Sequence, residues 1–217
     1  MNRILTLPLD NKLLRRKAKR VKNVQDPTVV ITIQTMKRLA LEWESVNPGL
    51  SCEGLAATQI GVPLRIIMTR ATDVRVPVNP DKIPNNTEIY ATEQDYRAAQ
   101  FEHEEFHRKN PGFDPFRVMI NPVFVTSDGM QDSEEGCLSV PGKVGTTIRP
   151  AKVIFHYTDE RGNRVPAVGP NLNKPGELVA EGFSAACITH EFDHLNGVLM
   201  IDSAFQIRDR TSDDKVA

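Results

Sequence analysis

The segment GFSAACITHEFDHLNG, residues 182–197, limits the possible folds more than any other part of the chain. Its apolar residues recur on most sides of a helix, and Gly197 suits a C-terminal cap. A helix with this pattern has to be buried, so the rest of the chain must pack around it. The same helix carries His190, Glu191 and His194 as a His-Glu-x-x-His pentad. We therefore predict a buried central helix that holds two histidines and a glutamate inside the molecule.

The spacing of the two histidines is suited to a metal ion. Histidines four residues apart on a helix lie on one face, roughly 5 to 6 Å from each other, so both imidazoles can bind one ion. The intervening glutamate can accept a proton from a water molecule beside the metal. A second pentad, HEEFH at residues 103–107, has the same spacing, but it lies among several charged residues, as solvated helix faces do. We therefore assign the metal to His190 and His194 and not to His103 and His107.

A third ligand is needed, and the sequence around the pentad excludes two common choices. A metzincin-type metallopeptidase needs a histidine where this chain has Met200, and a thermolysin-like enzyme needs a downstream glutamate, which this chain lacks after Glu191. The ligand therefore comes from upstream, unless one of the late aspartates supplies it. Cys187 lies on the same helix, but about 10.5 Å of helix rise separates it from the second histidine, so it is predicted to be a small buried apolar residue. Cys137, in the glycine- and proline-broken loop SEEGCLSVPG, is the better candidate.

Length and composition restrict the class of protein. The chain fits one domain, residues 1–217, and its 40% hydrophobic and 25% charged residues are typical of globular proteins. A formal net charge of -1 argues against direct nucleic-acid binding, and no apolar run approaches the ~20 residues of a membrane span. Three cysteines without framework spacing, and a start that lacks the pattern of a secretory signal, predict a cytoplasmic protein.

Local patterns predict the secondary structure in outline. Asp26 and Pro27 supply an N-cap and a first helical residue for a long helix that reaches about Ser45, with apolar residues at helical spacing. Residues 10–22 are predicted to form a short basic helix, and residues 51–63 a shaped loop. Strands are predicted at residues 64–69, 117–125 and 151–158, the last entering a hairpin through residues 159–163.

Two polar stretches, residues 70–116 and 166–177, differ from their surroundings. We predict that the first is a surface insertion and that the second is a loop which widens the hairpin. The first insertion has three candidate roles, namely covering the active site, contacting the ribosome or pairing two subunits. The sequence does not decide among them, so a monomer and a homodimer both stay open.

Three motifs together resemble the peptide deformylase family: GLAATQ at 54–59, EGCLSVP at 135–141 and HEFDH with its following glycine at 190–197. The opening ILTLPLDNKLLRRKAKRV is also similar to the start of that family, and the resemblance covers most of the chain apart from the two polar stretches. It implies an α+β fold in which antiparallel sheets pack around the helix that carries the two histidines. It also implies removal of the formyl group from the N-terminal formyl-methionine of nascent polypeptides, with release of formate.

The resemblance also implies the composition of a metal site. Cys137, His190 and His194 would bind one divalent ion with water as the fourth ligand, and Glu191 would act as general base and then as general acid. Ferrous iron is expected through the resemblance. The ligands themselves suit zinc equally well, and Ni²⁺ or Co²⁺ can occupy such a site.

Further roles follow from the same resemblance. The side-chain amide of Gln59 and the backbone N–H of Leu138 would stabilise the negative charge that develops on the formyl oxygen. The formylated peptide would lie along Gly54, Glu135 and Gly136. The implied partners are therefore formyl-methionyl nascent peptides, and no membrane or nucleic acid is bound directly.

Two residues of the first motif depart from the family pattern. Cys52 and Glu53 stand where the family usually has a glycine and an apolar residue, and the carboxylate of Glu53 would favour peptides with basic residues. This departure keeps open a deformylase-like metal-binding protein with weak or lost turnover, while a metallopeptidase is the rival enzyme class. Arg149 is expected to brace a nearby carboxylate, either Glu134 or Glu135.

Overall fold

The computed structural model describes residues 3–70, 115–165, 178–211 and 214. Its α-helices are α1 (Asn11–Leu14), α2 (Pro27–Val46), α3 (Gly182–Leu195) and α4 (Met200–Ser203), and a short 3-10 helix spans Ala57–Ile60. Its strands are β1 (Gly54–Ala56), β2 (Ile66–Arg70), β3 (Phe116–Gly136), β4 (Lys143–Thr158), β5 (Arg164–Val165), β6 (Leu178–Glu181) and β7 (Gln206–Asp209).

The strands pair antiparallel throughout the described residues. β1 to β5 follow one another across the sheet in chain order, and the β3–β4 pair is the longest in it. β5, β6 and β7 pair in turn along β4, with β5 near its end and β7 near its beginning. The predicted strands are confirmed, but β3 and β4 are longer than the sequence indicated. This arrangement confirms the predicted α+β class.

The long helix α2 begins where its sequence predicts. The Asp26 carboxylate accepts a hydrogen bond from Thr28 N at 2.8 Å, and Pro27 occupies the first turn, where its missing N–H costs no helical bond. One face of α2 packs against β1 and the 3-10 helix. The core cluster there also contains residues of β2 and β3, and it includes Ile33, Met36, Leu39, Leu55, Ile66, Met68 and Val118. The opposite side of the sheet is left for α3.

Helix α3 lies against β1, β2, β4 and β6, with its apolar residues in a second core cluster. Ala185, Ile188 and Leu195 pack there against Phe155 and Met119, which are fully buried. Beyond the helix, Gly197 has φ +75, as an αL cap requires, and its Cα lies so close to Arg15 that a side chain there would meet the Arg15 carbonyl. The helix with the pentad is therefore held rigidly at the centre of the fold.

Two predictions for the first third of the chain are wrong. Residues 10–22 are helical only over Asn11–Leu14, because Ala18 N donates to Leu195 O and Lys19 N donates to Pro63 O. These bonds to distant backbone carbonyls replace the bonds of a helix. Residues 51–63 contain β1 and the 3-10 helix in place of a loop, since Leu55 pairs with Met68.

Some predictions fall on residues that the structure does not describe. The HEEFH pentad and almost all of the predicted insertion at 70–116 lie outside the described residues, as does the loop at 166–177. Among the helices in the described ranges, none is both long and apolar enough to cross a membrane.

Candidate metal centre and active site

Three side chains that could bind a metal converge beside α3. His190 and His194 lie one helical turn apart on α3, and Cys137 follows the end of β3, where Gly136 ends the strand. The Nε2 atoms of the histidines are 3.2 Å apart, and Cys137 Sγ is 3.3 Å from His194 Nε2. All three residues are buried, and their ligand atoms lie within 4.8 Å of one another. The helix and the loop thus bring together the residues that the sequence predicted as ligands.

The arrangement of these atoms fits a divalent cation. Bonds of about 2.1 Å to nitrogen and 2.3 Å to sulfur at tetrahedral angles put ligand atoms roughly 3.4 to 3.6 Å apart, close to the observed separations. Burial lowers the pKa of His194 well below its usual value, so its imidazole is in the neutral form that a metal needs. Two histidines and a thiolate form a donor set that catalytic metal sites use, and such a set leaves a fourth position for water or substrate.

A buried ion-pair network orients His190. Its Nδ1 lies 2.9 Å from Glu135 Oε2, and because a carboxylate only accepts, Nδ1 carries a proton and Nε2 is the nitrogen available to a metal. Arg149 donates to both Glu135 oxygens, at 2.6 and 2.8 Å, and Thr147 Oγ1 donates to the same carboxylate at 2.7 Å. Burial would raise the pKa of Glu135, but Arg149 and His190 hold it well below its usual range. Glu135 is therefore ionised and fixed.

Arg149 also reaches back to α3. Its Nη1 donates to Asp193 Oδ2 at 2.5 Å, so one guanidinium links the strand residue Glu135 to the helix between the two histidines. The prediction that Arg149 braces a nearby carboxylate is confirmed for Glu135. Glu134 is exposed and pairs instead with Arg208, at 3.2 Å.

Glu191 lies beside the three ligands in a desolvated position. Burial, with a smaller contribution from Glu135, raises its pKa to about 7, although His190 and Arg149 oppose that rise. Its Oε2 has no hydrogen-bond partner among the described residues. A carboxylate that is buried without a partner is rare in folded proteins and suits a group that exchanges a proton with a bound molecule.

Gly54 makes the room that Glu191 occupies. A Cβ atom on Gly54 would lie 2.5 Å from Glu191 Oε1 and 2.8 Å from its Cγ. The glycine is therefore required by contact across the site and not by an unusual backbone angle.

Gln59 lies on the 3-10 helix with its side chain buried. Its Oε1 accepts from Ala56 N at 2.8 Å, and its Nε2 lies 3.2 Å from Ser139 Oγ and 3.9 Å from Cys137 Sγ. The amide donor therefore faces the predicted ligands.

A cleft of about 450 Å³, partly open to solvent, adjoins these groups. Eight residues predicted from the sequence line the cleft: Gly54, Gln59, Glu135, Gly136, Cys137, Leu138, His190 and Glu191. The other lining residues are Glu53, Ser133, Glu134, Phe183, Ala186 and Cys187. His194 lies behind this surface, only 1% exposed.

The two unusual residues of the first motif have different surroundings. Cys52 is fully buried, and burial followed by the charge of Glu191 raises the pKa of its thiol well above the usual value. Glu53 lines the cleft as expected, but Arg70 Nε lies 3.8 Å from its carboxylate and compensates part of its charge.

Several residues of the site were not found from the sequence. Ser139, Thr147 and Asp193 support the predicted residues, and Phe183 forms part of the cleft wall. The contacts of Ser139, Thr147 and Asp193 run between different elements of the fold, so no local pattern signals them. Cys187 was predicted to be a buried apolar residue, whereas it is half-buried, lines the cleft and does not belong to the group that could hold a metal.

Comparisons with known proteins agree with this geometry. The sequence model of the polypeptide deformylase family matches residues 1–210. A peptide deformylase from Synechococcus sp. (strain RCC307) is 30% identical over 190 residues, which cover 87% of this chain and about two thirds (67%) of that relative.

Solved structures show the same relationship. A peptide deformylase from Legionella pneumophila is 28% identical, with a TM-score of 0.59 over 94% of this chain and 85% of that one. A Met-Ala-Ser-bound class I type b peptide deformylase from Acinetobacter baumannii is 25% identical, with a TM-score of 0.59 over 92% of this chain and 96% of that one. The chain therefore belongs to the polypeptide deformylase family.

Proposed function

We propose that the protein hydrolyses the N-terminal formyl group of formyl-methionyl peptides and releases formate. The observation that carries this proposal is the convergence of Cys137, His190 and His194 beside Glu191, whose Oε2 has no hydrogen-bond partner in the described part of the chain, at the edge of a cleft. The Acinetobacter baumannii relative is described with Met-Ala-Ser, which has the composition of a deformylated peptide product. A cleft with these groups is suited to a small amide substrate and to an attacking water.

The roles of the individual residues follow from their positions. Cys137, His190 and His194 hold the divalent ion, which supplies Lewis-acid activation of water when it is bound. Glu191 Oε2, which lacks a partner among the described residues, accepts the proton of the attacking water and then donates it to the departing amine.

Two hydrogen-bond donors stabilise the negative charge that develops on the formyl oxygen. These are Gln59 Nε2 and the backbone N–H of Leu138, each worth about 3 to 4 kcal/mol if it acts as oxyanion donors do elsewhere. Gly54, Glu135 and Gly136 line the cleft beside them, where the peptide backbone can lie.

We infer that the ion is ferrous iron, and Zn²⁺, Ni²⁺ and Co²⁺ are alternatives that the same ligands accept. The substrates are nascent peptides, so we place the protein in the cytoplasm, where transient contact with the ribosome would bring it to them. One catalytic domain, residues 1–217, carries the activity, as a monomer or a homodimer.

Formate release from formyl-Met-Ala-Ser, by protein loaded anaerobically with Fe²⁺, tests the proposal. We expect turnover that needs the metal. Cys137→Ala should remove both the metal and the turnover, whereas His103→Ala, in the other pentad, should leave both. Metal-replete protein that releases no formate would instead support a deformylase-like binding protein.

A further inference from the structure

The side-chain amide of Gln59 is held in one orientation. Its Oε1 accepts from Ala56 N at 2.8 Å, and a backbone N–H can only donate, so this bond identifies the oxygen and the nitrogen of the amide. Nε2 therefore points to the other side, toward Ser139 Oγ at 3.2 Å. Gln59 is 1% exposed, so water cannot replace a lost protein partner at low cost.

Ser139 is itself fixed by the surrounding backbone. It is fully buried, and its carbonyl accepts from Leu7 N at 2.9 Å. Two residues earlier in the same segment, Leu5 N donates to the carbonyl of Gln59 at 2.7 Å. The N-terminal segment thus bonds to both Gln59 and Ser139, and the distance between the amide and the hydroxyl is set by rigid elements.

We propose that Ser139 is a positioning residue for the oxyanion donor Gln59. Its hydroxyl oxygen accepts one of the two Nε2 hydrogens. The second hydrogen is left on the side of Cys137 Sγ, 3.9 Å from Nε2 on the cleft wall, where the formyl oxygen would lie. A preorganised donor stabilises developing charge without reorganising during the reaction. Ser139 is fully buried and is not among the described residues that line the cleft, so it acts through Gln59. This inference rests on the proposed function.

A double-mutant cycle separates this role from a merely structural one. Ser139→Ala should lower kcat for formyl-Met-Ala-Ser about tenfold, the usual effect of one lost hydrogen bond, with KM almost unchanged. Gln59→Ala should lower kcat about 100-fold or more. In the Gln59→Ala protein, Ser139→Ala should have almost no further effect, because the residue through which it acts is absent.

Additional measurements guard against misfolding. Ser139→Cys nearly keeps the size of the side chain but offers a weaker acceptor, so it should also lower kcat. It replaces Ser139→Ala as the test if the alanine variant is unstable. In zinc-loaded wild-type protein, the two side-chain amide protons of Gln59 should exchange slowly and give two distinct NMR shifts. In the Ser139→Ala protein, these two shifts should average. Ser127→Ala, on the exposed part of β3, is the control and should change neither kcat nor these signals.

Two results would overturn the inference while the proposed function stands. One is an active wild-type enzyme whose kcat is unchanged by Ser139→Ala and Ser139→Cys. The other is a full loss from Ser139→Ala in the Gln59→Ala protein. A wild-type protein that holds metal but releases no formate would instead remove the proposed function, and with it the basis of the inference.

Discussion

At the residue scale, the site depends on contacts that local sequence does not encode. Residue chemistry and spacing predicted Cys137 and Glu191, whereas Gln59 was predicted only through the resemblance to the family. Local sequence does not show that Gly54 faces Glu191 or that Ser139 contacts Gln59, since these contacts cross more than 75 positions of the chain. Chemistry was therefore predictable at this scale, whereas the surroundings that tune it were not.

The contact between Gly54 and Glu191 predicts a specific effect on catalysis. Gly54→Ala puts a methyl group 2.5 Å from Glu191 Oε1, so the carboxylate must move away from its present position. We expect kcat to fall about tenfold or more, as small displacements of catalytic groups do, while metal content stays at the wild-type level. Steady-state kinetics and metal analysis measure the two quantities.

A matched glycine provides the control. Gly49 has φ +85 and open surroundings, so Gly49→Ala should lower the unfolding midpoint through backbone strain but leave kcat unchanged. Equal kcat values for Gly54→Ala and wild type would contradict the steric account of Gly54.

At the scale of elements, the two long helices α2 and α3 were predicted better than the ends of strands. The cap at Asp26 and the apolar periodicity marked α2 almost completely. β3 was predicted only to residue 125 because its second half is mostly exposed and polar, and its pairing with β4 holds it as a strand. β1 was missed because a strand of three residues has no periodicity of its own and exists through its ladder with β2.

Arg149 joins β3, β4 and α3, so its replacement should affect the metal site through the elements that it links. Arg149→Lys keeps the charge but loses the fork that contacts Glu135 and Asp193 together. We expect metal affinity to fall about 10- to 100-fold, as it does when residues that orient ligands are removed. Competition with a chromogenic chelator measures this affinity.

An exposed arginine gives the matching control. Arg38 forms an i,i+4 pair with Glu42 on the surface of α2, and pairs of this kind contribute little. Arg38→Lys should leave metal affinity unchanged. An Arg149→Lys protein with wild-type affinity would show that Glu135 orients His190 without help from the arginine.

At the scale of the whole molecule, the described parts of the chain build a continuous sheet around α3. Arg70 and Phe116 are direct ladder partners at the ends of β2 and β3. The chain therefore leaves β2 and enters β3 at adjacent positions of the sheet. A short turn is long enough to join these two paired strand ends. Composition had indicated an insertion at residues 70–116, but only the pairing of the strands identifies where it can be removed.

Replacing residues 71–115 with Asn-Gly tests whether the site is complete without them. A two-residue Asn-Gly turn matches the twist of antiparallel strands. We expect the shortened protein to keep the metal content and the formate release of the full chain. Loss of turnover with metal retained would assign the removed residues a direct part in catalysis.

The most direct test of the whole account is the rate of formate release by Glu191→Gln protein at full metal occupancy, compared with wild type. Glutamine has nearly the shape of glutamate but cannot accept the proton of water. Because Glu191 is not one of the three predicted ligands, the metal should stay bound. We predict a fall in kcat of about 10³-fold, within the range for loss of a general base. A Glu191→Gln protein that releases formate at the wild-type rate would contradict the assignment of the active site.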